Sequence, residues 1–263
     1  MIDHAKFRLD GRHIAVVGAA SGIGEAVALS CGRQGARVAC VDMNAVGAER
    51  VASQVRGEGG LAAAYACDIG ESAQVDVLMA ELDRVAEVDG LACTPGVNVR
   101  KPLLAYTDEE FERVVRVNLR GNFNVLRAAG RIMTARGRGS IVLFSSIRAQ
   151  VVEPGQSVYA ATKAGVLQLA RAAATEFGPS GVRVNAIAPG VTETPLTKPI
   201  KSVPDWYAAY AAKTVFNRWA TPEEMAWPAV FLLSDAASYV TGTMLAVDGG
   251  WLAADGRYAP PGM

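Results

Sequence analysis

The chain has 263 residues, is 51% hydrophobic and 20% charged, and balances 26 basic against 26 acidic side chains. That supplies ample core and no clustered cationic surface, so a phosphate-backbone binding role is disfavoured and no nucleic-acid partner is expected. No stretch approaches the roughly 18 apolar residues of a membrane span, and Met1 to Gly11 lacks the apolar core of a secretory signal, so no membrane partner is expected.

From the N-terminus, short apolar runs alternate with segments of helical period. His13–Val17, Arg37–Val41, Leu61–Cys67 and Val88–Cys93 read as strands, followed by Ser140–Phe144, Val182–Ile187 and Met244–Val247. Helical patterns fall between them at Gly22–Arg33, Ser72–Ala86, Asp108–Thr134, Val158–Phe177 and Pro222–Leu233. Seven strands separated by helices predict a single-domain α/β fold over residues 1–263, Rossmann-type, with a doubly wound parallel seven-stranded sheet and helices on both faces. Residues 191–220 break the rhythm with prolines, lysines and aromatics and read as a substrate lid. The Pro/Gly-rich tail from Arg257 to Met263 is expected at the surface or in a subunit contact. The four cysteines, Cys31, Cys40, Cys67 and Cys93, are too widely spaced for a zinc knuckle or a C-x-x-C pair and read as reduced core thiols of a cytoplasmic protein.

The first strand runs into Gly18-Ala19-Ala20-Ser21-Gly22-Ile23-Gly24 and then directly into a helix. Glycines at this spacing let backbone amides approach a pyrophosphate, whose charge the helix N-terminus favours. The second strand ends at Asp42, which can accept hydrogen bonds from the adenosine ribose hydroxyls and would repel a 2′-phosphate. With Ser21, not a basic residue, before Gly22, the cofactor expected is NAD, NADP being the lesser candidate. The competing role for Asp42 is that of a turn or helix-capping residue.

Tyr159 and Lys163 lie four residues apart at the start of a helical pattern and so share a face. A nearby ammonium favours the phenolate and would bring a phenol toward the pKa useful for acid–base work at neutral pH. Ser145-Ser146, thirteen residues upstream of Tyr159, closes a strand at the carboxyl edge of the sheet, where ligands of open α/β folds bind.

With these pieces in order, the chain resembles the classical short-chain dehydrogenase/reductase family from Gly11 to Gly250. Asp68, Asn118 in Val117-Asn118-Leu119-Arg120-Gly121, and Pro189-Gly190 add to the likeness. The resemblance implies that Ser146 hydrogen-bonds the substrate oxygen, Tyr159 is the acid/base, Lys163 tunes it and holds the nicotinamide ribose, and Asn118 supports a water-linked proton relay. It also implies Asp68 at the adenine, with Ile69 and Gly96 beside the adenosine and Thr192 and Thr194 at the carboxamide. A homotetramer built on the long helices is implied too, with Val166, Leu169, Ala170 and Ala173 as apolar surface.

Two positions depart from the pattern. Val17 stands where the family has threonine, and Ala92-Cys93-Thr94-Pro95-Gly96 lacks the usual asparagines that tie the fourth strand to its neighbour. For the substrate, an alcohol or carbonyl compound, Arg148 with Arg100, Lys101, Lys198 and Lys201 can hold a carboxylate or sulfonate, unless these are simply solvated charges. Glu153 instead suits hydroxyl recognition in a sugar or polyol, and Trp206, Tyr207 and Tyr210 can either stack on a sugar ring or pack the lid. A serine hydrolase is excluded by the absence of Gly-x-Ser-x-Gly and of a histidine placed as a triad base. No cluster at metal-ligand spacing occurs, and no metal is expected. The remaining rival is a catalytically silent NAD-binding protein serving as regulator or scaffold.

Overall fold

The computed structural model describes residues 4–254, so the tail expected at the surface lies outside the described residues. Seven strands, β1 (His13–Val17), β2 (Arg37–Asp42), β3 (Leu61–Ala66), β4 (Val88–Cys93), β5 (Gly139–Phe144), β6 (Val182–Pro189) and β7 (Met244–Val247), form one sheet in the order β3-β2-β1-β4-β5-β6-β7. Every pairing is parallel. The interior strands β1 and β4 to β6 are buried on both faces, because each face carries helices.

The helices are α1 (Gly22–Arg33), α2 (Ala45–Gly57), α3 (Ser72–Val85), α4 (Asp108–Val115), α5 (Asn122–Arg136), α6 (Ser157–Phe177), α7 (Lys198–Lys201), α8 (Pro204–Ala211) and α9 (Pro222–Leu233). Helices α1, α2 and α9 enclose one core around Val16, Val38 and Ile187. On the other face α3, α5 and α6 enclose a second around Val17, Leu91 and Leu143. The strand order reverses between β1 and β4, so the loops leaving these two strands diverge and open a crevice at their carboxyl ends, the position where such sheets bind ligands.

Three expectations are corrected. The segment from Asp108 to Thr134 is not one regular helix: Arg116–Gly121 between α4 and α5 is π-helical, a local widening common at functional sites. The lid contains α7 and α8 and has its own small core of Ile200, Ala211 and Trp219, with Tyr207 stacked on Trp219 at 5.0 Å. Of the four residues expected as subunit-facing surface, Val166, Ala170 and Ala173 are buried within the chain's own second core, because that face of α6 packs on the sheet; Leu169 is partly buried. All four cysteines are buried and free. Among the described residues no helix is long and apolar enough to cross a membrane.

Candidate active site

The turn after β1 is held in a shape that only small residues permit. Gly18 and Gly22 have φ of +84° and +59°, and a Cβ on Gly24 would stand 2.0 Å from the Gly18 carbonyl oxygen. The backbone of the first turn of α1 therefore presses directly on the loop. Thr94, just beyond β4, donates from Oγ1 to the Val17 carbonyl at 2.9 Å and from its amide to the same oxygen at 3.0 Å. One hydroxyl thus joins the two strand ends and replaces the tie that the missing asparagines had put in question.

A cavity of about 340 Å³ lies over this loop, and Gly18, Ser21, Gly22, Ile23, Gly24 and Gly96 all line it. So do Asp42, Asp68, Ile69 and Thr194. Asp42 fills the turn role, Oδ2 accepting from the Ala20 amide at 3.0 Å and Oδ1 from the Asn44 amide at 2.9 Å, and it also borders the cavity. Asp68 accepts from the Gly70 amide and from Arg116 at 2.7 Å, and that guanidinium holds its carboxyl below the usual carboxylate range. Arg116, from the π-helical turn, was not singled out in the sequence; nothing in its local spacing distinguishes it from a solvated charge. Pro189 ends β6, and Gly190 lines a second cavity. Thr192 is buried, donates to the Gly190 carbonyl and bridges to Ala220, so it braces the base of the lid without lining either cavity.

Ser146 and Tyr159 line this second cavity, of about 260 Å³, which meets the first at Leu196. Lys163 lies below, donating from Nζ to the Phe144 carbonyl at 2.8 Å, with Nζ 5.7 Å from the centre of the Tyr159 ring. A Cβ on Gly96 would come within 3.2 Å of that Nζ. Burial pushes Lys163 down to about 8 and raises the Tyr159 phenol above its ordinary value. This reverses the sign expected for Tyr159 from Lys163 alone. The largest influence on the phenol is desolvation, opposed by a hydrogen bond with Ser146 and by the charges of Arg148 and Arg100. Asn118 sits in the π-helical turn, where its side chain brackets Val97: Oδ1 accepts from the Val97 amide at 2.8 Å and Nδ2 donates to its carbonyl at 2.9 Å. Asn122 Nδ2 donates to the Asn118 carbonyl at 2.8 Å.

The basic residues expected to hold an anion are largely paired. Lys101 donates to Glu110 and Lys201 pairs with Glu193. Lys198 lines a separate groove beside α1. Arg100 and Arg148 both pair with Glu153, which lies behind the wall that they form with Gln156 and Tyr210. Trp206 and Tyr210 line the cavity, whereas Tyr207 packs on Trp219. Trp251, brought in by the turn after β7, lies edge-on to Tyr210 and under the Arg148 guanidinium. The sequence singled out Val247-Asp248-Gly249-Gly250-Trp251 only as similar to sugar and polyol members of the family, and Gln156 had no local signal.

A glycine cradle at the switch point of a parallel sheet, joined to a Ser-Tyr-Lys group whose tyrosine opens on the neighbouring cavity, defines a dinucleotide-dependent oxidoreductase. A family model described as enoyl-(acyl carrier protein) reductase matches residues 18–252. A galactitol 2-dehydrogenase (L-tagatose-forming) from Cereibacter sphaeroides is 39% identical over 93% of this chain and 96% of its own. A D-threitol dehydrogenase from Mycolicibacterium smegmatis is 39% identical over 93% and 94%. The crystal structure of a gluconate 5-dehydrogenase from Burkholderia cenocepacia, in complex with NADP and tartrate, superposes with a TM-score of 0.92 at 33% identity, covering 95% of this chain and 98% of that one. The chain belongs to the classical short-chain dehydrogenase/reductase family and is an NAD(P)-dependent oxidoreductase that interconverts an alcohol and a carbonyl compound.

Proposed function

We propose that this enzyme uses NAD to oxidise a secondary alcohol of a polyol or sugar, and to reduce the corresponding ketone. The observation that carries this reading is the second cavity, where Ser146 and Tyr159 face a wall of hydrogen-bonding side chains whose two guanidinium groups are held by one carboxylate behind them. Galactitol and threitol dehydrogenases among its relatives agree with it. The glycine cradle fits a dinucleotide, since Gly18, Ser21, Gly22, Ile23 and Gly24 line the cavity at the N-terminus of α1, where backbone amides can meet a pyrophosphate. A nicotinamide cofactor held there would supply the hydride acceptor or donor. Asp42 supports NAD over NADP: its carboxylate is fixed by two backbone amides at the cavity edge and would oppose a 2′-phosphate.

In this reading Ser146 holds the reacting oxygen and Tyr159 takes or returns its proton. Lys163, fixed on the Phe144 carbonyl and next to the open space at Gly96, supplies positive charge to the phenol and a donor to the ribose. Asn118 positions the Val97 backbone beside them and belongs to the proton route. Gly190, Thr192 and Thr194 shape the carboxamide end. Arg148 contacts substrate, and Glu153 acts from behind it. The chain acts as one domain with residues 191–220 as lid, in the reducing cytoplasm that suits four free buried thiols. It assembles as a homotetramer through the outer face of α5 and α6, where Phe123, Leu126, Leu169 and Phe177 line an apolar groove.

The test is reduction of NAD or NADP, followed by absorbance, across polyols, sugars, hydroxy acids and simple secondary alcohols, with Tyr159→Phe as control. NAD reduction by polyols that is lost in the control is the expected result. Cofactor binding with no turnover on any member of the panel would favour the silent regulator instead.

A further inference from the structure

Arg100 and Arg148 approach the substrate cavity from different parts of the chain and converge on one carboxylate. Glu153 Oε1 accepts from Arg100 Nη1, from the Tyr210 hydroxyl and from Gln156 Nε2, and Oε2 accepts from Arg148 Nη2. An ionised carboxylate has about four acceptor positions. Oε1 takes three of these bonds and Oε2 one, and Glu153 stands behind the cavity, not at its wall, so it is turned to the arginines and not to a substrate hydroxyl. The two guanidinium groups are further held against indole rings, Arg100 over Trp206 at 5.1 Å and Arg148 over Trp251 at 5.2 Å.

Glu153 also fixes the direction of a hydrogen-bond chain. Because a carboxylate only accepts, Gln156 must present its amide nitrogen to it, and Gln156 Oε1 then faces Asn98. Asn98 must in turn donate, which it does at 3.0 Å. This leaves Asn98 Oδ1 buried with no partner, on a residue that lines the substrate cavity. That oxygen is shut off from the cavity, so what Glu153 fixes here is the orientation of the Gln156 and Asn98 amides along the wall.

We infer that Glu153 is a specificity-determining positioning residue, one that halves the positive charge of Arg100 and Arg148, holds both guanidinium groups back from an anion, and turns the cavity wall toward neutral polyhydroxylated substrates and away from carboxylates. This deepens, and rests on, the reading of the site as one for polyol or sugar alcohols. Two guanidinium groups against one carboxylate leave a net charge of +1. No other basic side chain lines the cavity among the described residues, Lys101 and Lys201 being paired elsewhere. The Glu153 carboxyl stays ionised, since hydrogen bonds from Tyr210, Arg100 and Gln156 and the Arg148 charge together outweigh its burial.

The test is Glu153→Gln, which keeps the shape, removes the charge and frees the direction of the amide chain. Galactitol and threitol serve as neutral probes and gluconate as the anionic one. The variant is expected to lose about tenfold in kcat/KM on the neutral probes, through KM, and to gain about tenfold on gluconate. NADH affinity should not move. A second readout needs no turnover: tartrate binding to the enzyme–NADH complex, followed by fluorescence of the tryptophans at the cavity, should tighten about tenfold in the variant and weaken with salt.

Unchanged or weaker tartrate binding, or a parallel fall on neutral and anionic substrates, would overturn the inference. If Glu153→Gln fails to fold, Arg148→Met tests it from the other side. Removing one cation should weaken tartrate binding below that of the wild type, and unchanged binding refutes the charge argument. A tartrate shift in an enzyme that oxidises no polyol supports the role of Glu153 while sinking the polyol assignment.

Discussion

Replacing Lys163 by methionine should abolish turnover and yet stabilise the protein at neutral pH. Lys163 is 3% exposed and its ammonium has fallen from an ordinary 10.5 to about 8. At about 1.4 kcal/mol per factor of ten, holding the charge in the fold costs about 3 kcal/mol below pH 8. Methionine removes that cost but leaves the Phe144 carbonyl without the donor it has at 2.8 Å, a loss of about 2 kcal/mol. The balance is a gain of about 1 kcal/mol at pH 7, or a Tm rise of about 2–4 °C for a domain of this size. Between pH 8 and 10.5 the folded chain binds fewer protons than the unfolded chain, so the wild type gains stability with rising pH while the variant does not. By pH 10 about 2.5 kcal/mol of the cost has gone and the order reverses, the variant being less stable by about 1 kcal/mol. Denaturant melts of both proteins at pH 7 and pH 10 measure the crossover. A stability difference that is the same at both pH values, or a variant already weaker at pH 7, would refute the account of a buried, charge-strained lysine.

Gly24→Ala places a methyl group 2.0 Å from the Gly18 carbonyl oxygen, and backbone must move to admit it. A stability loss of about 2 kcal/mol and the disappearance of NADH binding by fluorescence are expected. Thr94→Val removes the hydroxyl bond to Val17 but not the amide one, so about 1 kcal/mol is lost and KM for the cofactor rises several-fold with kcat little changed. Thr94→Ser should restore both, whereas a full-sized loss in the serine variant would assign the effect to packing. At the acidic end, Glu224 is held down to about 2 by Arg218 and by the Thr221 amide that it caps. Its depressed carboxyl contributes stability above about pH 4.5 that is lost as pH falls toward 2, though exposure keeps this under about 1 kcal/mol. Glu224→Gln should flatten that part of the acid unfolding curve.

Most of the sheet was legible because each strand and turn is specified within a few residues. Apolar runs such as His13–Val17, the glycines after them and the helix that follows are all local signals, and Tyr159 and Lys163 share a face by helical spacing alone. The widened turn at Asn118 was not legible, because Arg116–Gly121 has an ordinary helical composition and its geometry depends on Asn118 bracketing Val97, 21 residues away. The tie between β1 and β4 likewise arises from Val17 and Thr94, 77 residues apart.

The substrate side shows the same division more sharply. Arg100, Arg148 and Glu153 were each visible as charged loop residues, but whether the arginines were free for an anion or already engaged depended on where Glu153 came to lie. Tyr210 meets Glu153 across 57 residues and Arg100 meets it across 53. The sequence by itself determined the fold class, the cofactor cradle and the serine–tyrosine–lysine group, because backbone periodicity and turn chemistry act over a few residues. Only the tertiary structure decided the sign of the shift on Tyr159 and the charge of the substrate wall, since desolvation and ion pairing depend on what surrounds a group in space.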